Sequence, residues 1–361
     1  MENPRENPKK MKFDHKDEEK MKFDHKDEEK AILYPVLADD LVEDTPLTEV
    51  YVGTISNQKD ISKVIIELNS ITPIPELMHL KRIKGKDILL FPVCNIEKNQ
   101  IFSLLQSKNF DISKLENTIK TSMVAKIPPK IRRQYDKVHK VWPCNFHSNK
   151  YLEKLSTNTL FSSKELQEFE GYMRLAIDVA LYAREHYFDE PQVGAIVVDT
   201  KIKSVVAASY RQTNEGPCRH AAMVAVDNVA KTQNGGAWNI DEITNKDGEL
   251  NTNGFKEELL NFLKKKYNTL RFGASWFKGK SDLLEPSDGP YLCTGYYVFL
   301  THEPCAMCAM GLIHSRAKRV FFGARTSNGA LTTSCKIHTV KDLNHHYEVF
   351  GGLLEKQCLQ L

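Results

Sequence analysis

The stretch from Thr301 to Ser315, THEPCAMCAMGLIHS, constrains this chain more than any other. A Pro-Cys-x-x-Cys step opens an apolar run carrying Ala309, Met310, Leu312 and Ile313. If a helix starts at Pro304, Cys305 and Cys308 lie one turn apart and both sulfurs face one point from its first turn. Proline suits that first position because the N–H it lacks would have no partner there. The positive end of the helix favours thiolate over thiol, and thiolate is the form a metal binds. The same spacing serves dithiol redox pairs and structural zinc ribbons, so a further ligand has to decide.

That ligand is sought in PCRHAAMVAVDNVA, where His220 precedes a run with apolar residues at Met223, Val226 and Val229 or Ala230. Two helix starts, one giving a histidine and the other two cysteines, make the metal half of the H-x-E with P-C-x-x-C signature of zinc-dependent nucleobase deaminases. In those enzymes zinc acidifies a water that attacks the amino-bearing ring carbon, and the glutamate two residues after the histidine moves its protons. Here that position is Ala222. The metal half is present and the acid–base half is missing.

From Tyr291 the sequence YLCTGYYVFLTHEPCAMCAMGLIHSRAKRVFFG resembles the eukaryotic tRNA wobble-adenosine deaminase family, and in particular the catalytically silent member of its heterodimer. HLKRIKGKDILL from His79 is similar to the silent subunit's N-terminal domain. The family converts wobble adenosine, position 34 of tRNA, to inosine with one active and one inactive subunit. The resemblance implies Zn2+ on His220, Cys305 and Cys308, no catalytic residue because Ala222 holds the general acid/base position, an active deaminase subunit as partner, and the tRNA anticodon arm as bound RNA. The rival readings are an autonomous zinc nucleoside or base deaminase with a displaced general acid, and a zinc-stabilised RNA-binding protein without an enzyme partner.

A length of 361 residues allows two domains. No apolar run approaches the roughly 18 residues of a membrane span and the N-terminus is highly charged, so neither a span nor a secretory signal is expected. A location in nucleus and cytoplasm follows. In such a reducing compartment the eight cysteines read as two metal ligands and a set of free thiols. A net charge of +3 says nothing by itself about nucleic acid.

Residues 1–30 contain MKFDHKDEEK twice in succession and too little apolar surface to order themselves, so His15 and His25 read as solvated. A smaller α+β domain is expected over 31–123. It shows an alternating run at Val50, Val52 and Ile55, a helical run at Ile61, Val64, Ile65 and Leu68, and an extended run from Ile88 to Val93. Leu104, Leu105, Ile112, Leu115 and Ile119 suggest further helix. Lys81 and Arg82, at a basic turn, read either as phosphate contacts or as a solvated hairpin.

Between Val124 and Lys154 eight Lys or Arg face two acids, with Tyr135, Trp142, Phe146 and Tyr151 interleaved. Pro128-Pro129 and Trp142-Pro143 suggest an irregular linker over 124–160. Lys130, Arg132, Arg133, Lys137 and Lys140 among aromatics make the composition of an RNA contact, since phosphate neutralisation supplies affinity and rings stack on unpaired bases. Equally, the aromatics can bury against the following domain while the cationic heads stay wet.

Over 161–361, helical spacing at Leu166, Phe169, Met173, Ile177 and Ala180 is followed by two strands, 193–199 and 203–209, that read as an antiparallel pair. The His220 helix, a strand at 297–300, the Cys305 helix and a strand at 319–322 complete an α/β pattern. It resembles the three-layer cytidine deaminase-like fold, a mixed sheet with helices on both faces. Residues 232–289 read as an insertion with Gly-rich turns and one helix from Lys256 to Tyr267. Active relatives carry the glutamate of T-x-E-P-C as well as the catalytic one, so Glu303 reads as structural. Where active relatives place a substrate-binding asparagine, this chain has Arg211. Cys358 can fill a fourth zinc position if the tail folds back, or remain a free thiol.

Overall fold

The computed structural model describes residues 33–187, 192–238, 250–275 and 291–361. The repeated decapeptide with its histidines, and two portions of the insertion, lie outside the described residues. The chain forms two compact units, Tyr34–Ser162 and Ser163–Leu361.

In the first unit the elements are β1 (Leu47–Ile55), α1 (Ile61–Ile71), β2 (Ile83–Lys84), β3 (Asp87–Pro92), α2 (Ile101–Ser107), β4 (Leu115–Ala125), α3 (Arg132–Val141) and α4 (Lys150–Ser156). The sheet runs β2-β3-β1-β4, with every neighbouring pair antiparallel. Successive side chains on a strand point to opposite faces, and central β1 uses both. Tyr51 and Ile55 pack with Leu68, Ile88 and Leu105 on one face. Val50 and Val52 pack with Leu89, Val124, Val138 and Trp142 on the other.

That second face corrects two expectations. Leu115 and Ile119 belong to a strand, not a helix: a spacing of four fits one face of either element, and pairing with β1 from Leu47↔Ala125 to Ile55↔Leu115 decides for the strand. Nor is 124–160 an irregular linker, because α3 and α4 fall within it. Ile131, Gln134 and Val138 turn inward at helical spacing, and Trp142 is 2 % exposed. The Trp142 Nε1 donates to the Lys81 carbonyl at 2.7 Å. The segment is the cover of the first unit's own sheet.

The second unit contains α5 (Ser163–His186), β5 (Gly194–Asp199), β6 (Ser204–Tyr210), α6 (Ala221–Thr232), α7 (Glu257–Lys266), β7 (Arg271–Phe272), β8 (Tyr297–His302), α8 (Ala306–His314), β9 (Arg319–Ala324), β10 (Glu348–Gly351) and α9 (Glu355–Cys358). Its strands lie in the order β10-β9-β8-β5-β6-β7. β8, β9 and β10 are mutually parallel, β5 is antiparallel to β8 and β6, and β7 is parallel to β6. This is the expected mixed sheet.

Strand alternation sorts the two faces. Phe299 and Phe321 turn toward α5, where the Phe169 ring lies 6.0 and 4.7 Å from theirs. Gly194 lets that helix approach, since a Cβ there would stand 2.0 Å from the Ala176 carbonyl oxygen. Leu300 and His302, of opposite parity, turn toward the side that holds α6 and α8. Those two helices touch through Gly311, whose Cβ would meet the Met223 sulfur at 2.5 Å. Among the described residues, no helix is long and apolar enough to cross a membrane.

Candidate metal centre

His220 caps the start of α6 and Cys305 caps the start of α8, both in extended backbone (φ −70°, ψ 152° and φ −69°, ψ 174°). The helix thus begins at Ala306, two residues after the start expected at Pro304, and Cys308 sits in its first turn. An extended cap turns the Cys305 side chain back across the helix end, where it meets Cys308 and His220. The three ligand atoms lie within 4.8 Å of one another. Cys305 Sγ and His220 Nδ1 are 3.6 Å apart. Tetrahedral zinc, with Zn–S of about 2.3 Å and Zn–N of about 2.0–2.1 Å, separates sulfur and nitrogen by about 3.6 Å. The donor set and its spacing therefore fit zinc.

The electrostatics agree. Burial, then the nearby Arg211 charge, holds His220 below the usual imidazole range, which leaves its ring neutral and able to ligate. Burial, reinforced by neighbouring Cys305, pushes the Cys308 thiol far up. A thiol so placed becomes a thiolate only beside a cation, so metal binding would release a proton here.

Cys358, the possible fourth ligand, is not brought to this cluster. Its sulfur lies over Gly323, where a Cβ would stand 2.2 Å from it. Gly323 shares the parity of Phe321 on β9 and so faces α5, the side of the sheet away from His220. Burial pushes this thiol up to about 12. The short helix α9 carries it into the core, not over the metal ligands.

Beside the ligands lies a cavity of about 300 Å³, lined among others by Arg211, Ala222, His302, Glu303, Thr326 and Asn328. Ala222, in the first turn of α6, presents a methyl group where the deaminase signature has its glutamate. Glu303 does not replace it. Its Oε1 accepts from the N–H groups of Leu331, Thr332 and Thr333 at 2.9, 2.5 and 3.1 Å, and its Oε2 from the Thr333 hydroxyl at 2.6 Å. Gly329 packs directly on the carboxylate, with a virtual Cβ 2.1 Å away. Burial pushes the Glu303 pKa up, but the donors from Thr333, Thr332 and Leu331 outweigh it and hold the group below its ordinary value. An ionised carboxylate so enclosed organises the loop after β9 and is no proton shuttle. Sequence reasoning missed His302, Thr326 and Asn328 as cavity residues. The parity of His302 with Leu300 was a legible signal, whereas nothing in the spacing marked the other two.

The basic residues singled out in the first unit divide by environment. Arg82 is enclosed: Nε donates to the Leu89 carbonyl at 3.1 Å, Nη1 to Asn69 at 2.8 Å and Nη2 to the Thr72 carbonyl at 2.8 Å. Burial lowers its pKa to about 10. Lys130 pairs with Asp40, and Arg133 and Lys137 pair with Asp44. Arg132 is exposed and lies over the stacked rings of Tyr135 and Phe146, 5.5 and 5.3 Å from their centroids. Lys81 and Lys140 are exposed.

A mixed sheet with a histidine and two cysteines converging from two helix starts defines a zinc-site deaminase fold, and comparison agrees: residues 166–324 match the family of the cytidine and deoxycytidylate deaminase zinc-binding region. Over 344 residues the chain is 34% identical to the "probable inactive tRNA-specific adenosine deaminase-like protein 3" of Danio rerio, covering 91% of this chain and 93% of that one. The protein of the same name from Homo sapiens is 32% identical over 336 residues, 90% of each chain. A 72-residue stretch is 50% identical to the "tRNA-specific adenosine deaminase subunit TAD3" of Saccharomyces cerevisiae, covering 18% of this chain and 22% of that one. The chain belongs to the family of these tRNA-specific adenosine deaminase-like proteins.

Proposed function

We propose that this chain is the non-catalytic, zinc-holding subunit of a tRNA-specific adenosine deaminase, and that wobble adenosine is hydrolysed to inosine in the site of an active partner subunit. The observation that carries the reading is Ala222 at the cavity wall. Zinc held by His220, Cys305 and Cys308 would polarise a water, but deamination also needs a group that moves its protons. A methyl group cannot do so, and Glu303 is fully engaged by the loop it anchors. A general acid–base group contributes about 10² to 10⁴-fold, so this site by itself is silent. The metal's role is then structural, tying two helix starts together and keeping the face that they form.

The names of the relatives, "probable inactive" deaminase-like proteins and a deaminase subunit, support the same assignment. In the first unit, Arg132 over Tyr135 and Phe146, together with exposed Lys81 and Lys140, supports contact with the phosphates of a tRNA anticodon arm. Arg133, Lys137 and Lys130 would add to it by exchanging surface carboxylates for phosphate.

The test is inosine formation on a tRNA substrate with the chain alone, with its Ala222→Glu form, and with the chain co-expressed with an active deaminase subunit. Activity confined to the co-expressed sample is expected. Turnover by the chain alone would restore the autonomous deaminase. A monomer that binds tRNA and leaves the active subunit's rate unchanged would favour the plain RNA-binding protein.

A further inference from the structure

The cavity beside the metal ligands has a charge that nothing in the silent-subunit reading uses. Arg211, one residue beyond β6, lines it. Its Nε donates to the Thr213 hydroxyl at 3.0 Å, and among the described residues no carboxylate pairs with its guanidinium. The cavity also meets the N-terminal ends of α6 and α8, 12 and 9 residues long. Free N–H groups and the helix dipole favour negative charge at such ends. The acid on the wall does not cancel this field, because three backbone N–H groups and a hydroxyl already surround Glu303. His302 faces the same space, and burial holds its ring below the usual range, so it adds a neutral hydrogen-bonding group. Two thiolates would neutralise a divalent ion held here, and Ala222 presents a methyl group where the deaminase signature has its acid. Among the described residues Arg211 is left as a positive charge with no carboxylate partner.

We propose that this pocket binds a small oxyanion, a phosphate or a carboxylate group, through Arg211 beside the metal ligands. A guanidinium offers such a group two parallel donors. A volume of about 300 Å³ is at the small end of ligand sites and suits a small molecule. Alanine at position 222 and arginine at position 211 then act together: the wall carries a cation and, at the signature position, no acid. This rests on the zinc reading above for the ion's neutralised charge, and not on the tRNA role.

The experiment is titration calorimetry of inorganic phosphate, and separately acetate, into the full-length zinc-loaded chain at fixed ionic strength. Zinc content is measured on the same samples, and circular dichroism checks folding of each variant. Expected is saturable binding at one site, about tenfold weaker in Arg211→Gln, as for loss of a charge-assisted contact, and partly kept in Arg211→Lys. Ala222→Glu, which puts an acid back, should weaken it by a similar factor. The stronger of the two probes identifies the preferred oxyanion. No saturable binding of either probe by chain carrying one zinc, or unchanged affinity in folded Arg211→Gln, would overturn the proposal. A folded full-length chain that takes up no zinc would overturn the zinc reading, and with it this proposal.

Discussion

The sulfur of Cys358 occupies the space that a side chain at Gly323 would fill: a Cβ there would stand 2.2 Å from the sulfur and 2.8 Å from the Thr301 carbonyl oxygen. The C-terminal turn is thus packed into the α5 face of the sheet. Gly323→Ala is expected to destabilise the chain by about 1–3 kcal/mol through overpacking, and Cys358→Ala should recover part of it in the double variant. Denaturant titration measures both. The same placement predicts that Cys358→Ser leaves two sulfur neighbours in the zinc absorption-edge spectrum, and a loss of one would contradict it.

Zinc content should be one ion per chain. His220→Ala, Cys305→Ala and Cys308→Ala should each abolish tight binding, and chelation of the unsubstituted chain should lower its Tm, because an ion that binds only the folded state adds stability by mass action. Elemental analysis with thermal unfolding decides; full metal content in Cys308→Ala would exclude this cluster.

Glu303→Gln should unmoor the loop that supplies Leu331 to Thr333, at about 2–3 kcal/mol for the lost charge-assisted bonds. The pH dependence has a definite sign. The folded pKa lies below the unfolded one, so the carboxylate's contribution is complete above the unfolded value and fades as pH falls through the folded one. Wild type and variant should therefore differ by a constant amount from about pH 8 down to about pH 5 and converge in more acid solution. Unfolding curves at a series of pH values test this, and a gap that widened in acid would refute the assignment.

Three arginines of the first unit should divide into two kinds. Arg132→Ala with Arg133→Ala is expected to weaken tRNA binding and flatten the salt dependence by about two charges, with little change in stability. Arg82→Ala should lower stability by about 2–4 kcal/mol, since it strands the buried Thr72 and Leu89 carbonyls. A filter-binding salt series and denaturant curves separate the outcomes. An unchanged slope in the double variant would remove α3 from the RNA surface.

His220, Cys305 and Cys308, which the fold brings together, were legible in the chain because each is read locally: a histidine or cysteine at a helix start next to a periodic apolar run leaves a spacing that needs no partner to interpret. The same locality made the β5–β6 hairpin and the long α5 readable. Ala222 was equally plain, since an absent acid shows as well in a motif as a present one. The first unit resisted for the opposite reason. Leu115 and Ile119 carry a spacing that strand and helix share, and only pairing with β1 decided between them. The segment around Trp142 has few apolar residues and many charges, so its role as cover appears only once Val50, Val52 and Val124 present a face that needs covering. Arg82 and Cys358 make the point at single residues. An arginine in a basic run and a cysteine near the end look available, but which face of a sheet a side chain meets is a matter of register. One strand position of difference puts the Cys358 sulfur on the α5 side and leaves His302 and Arg211 with the metal ligands.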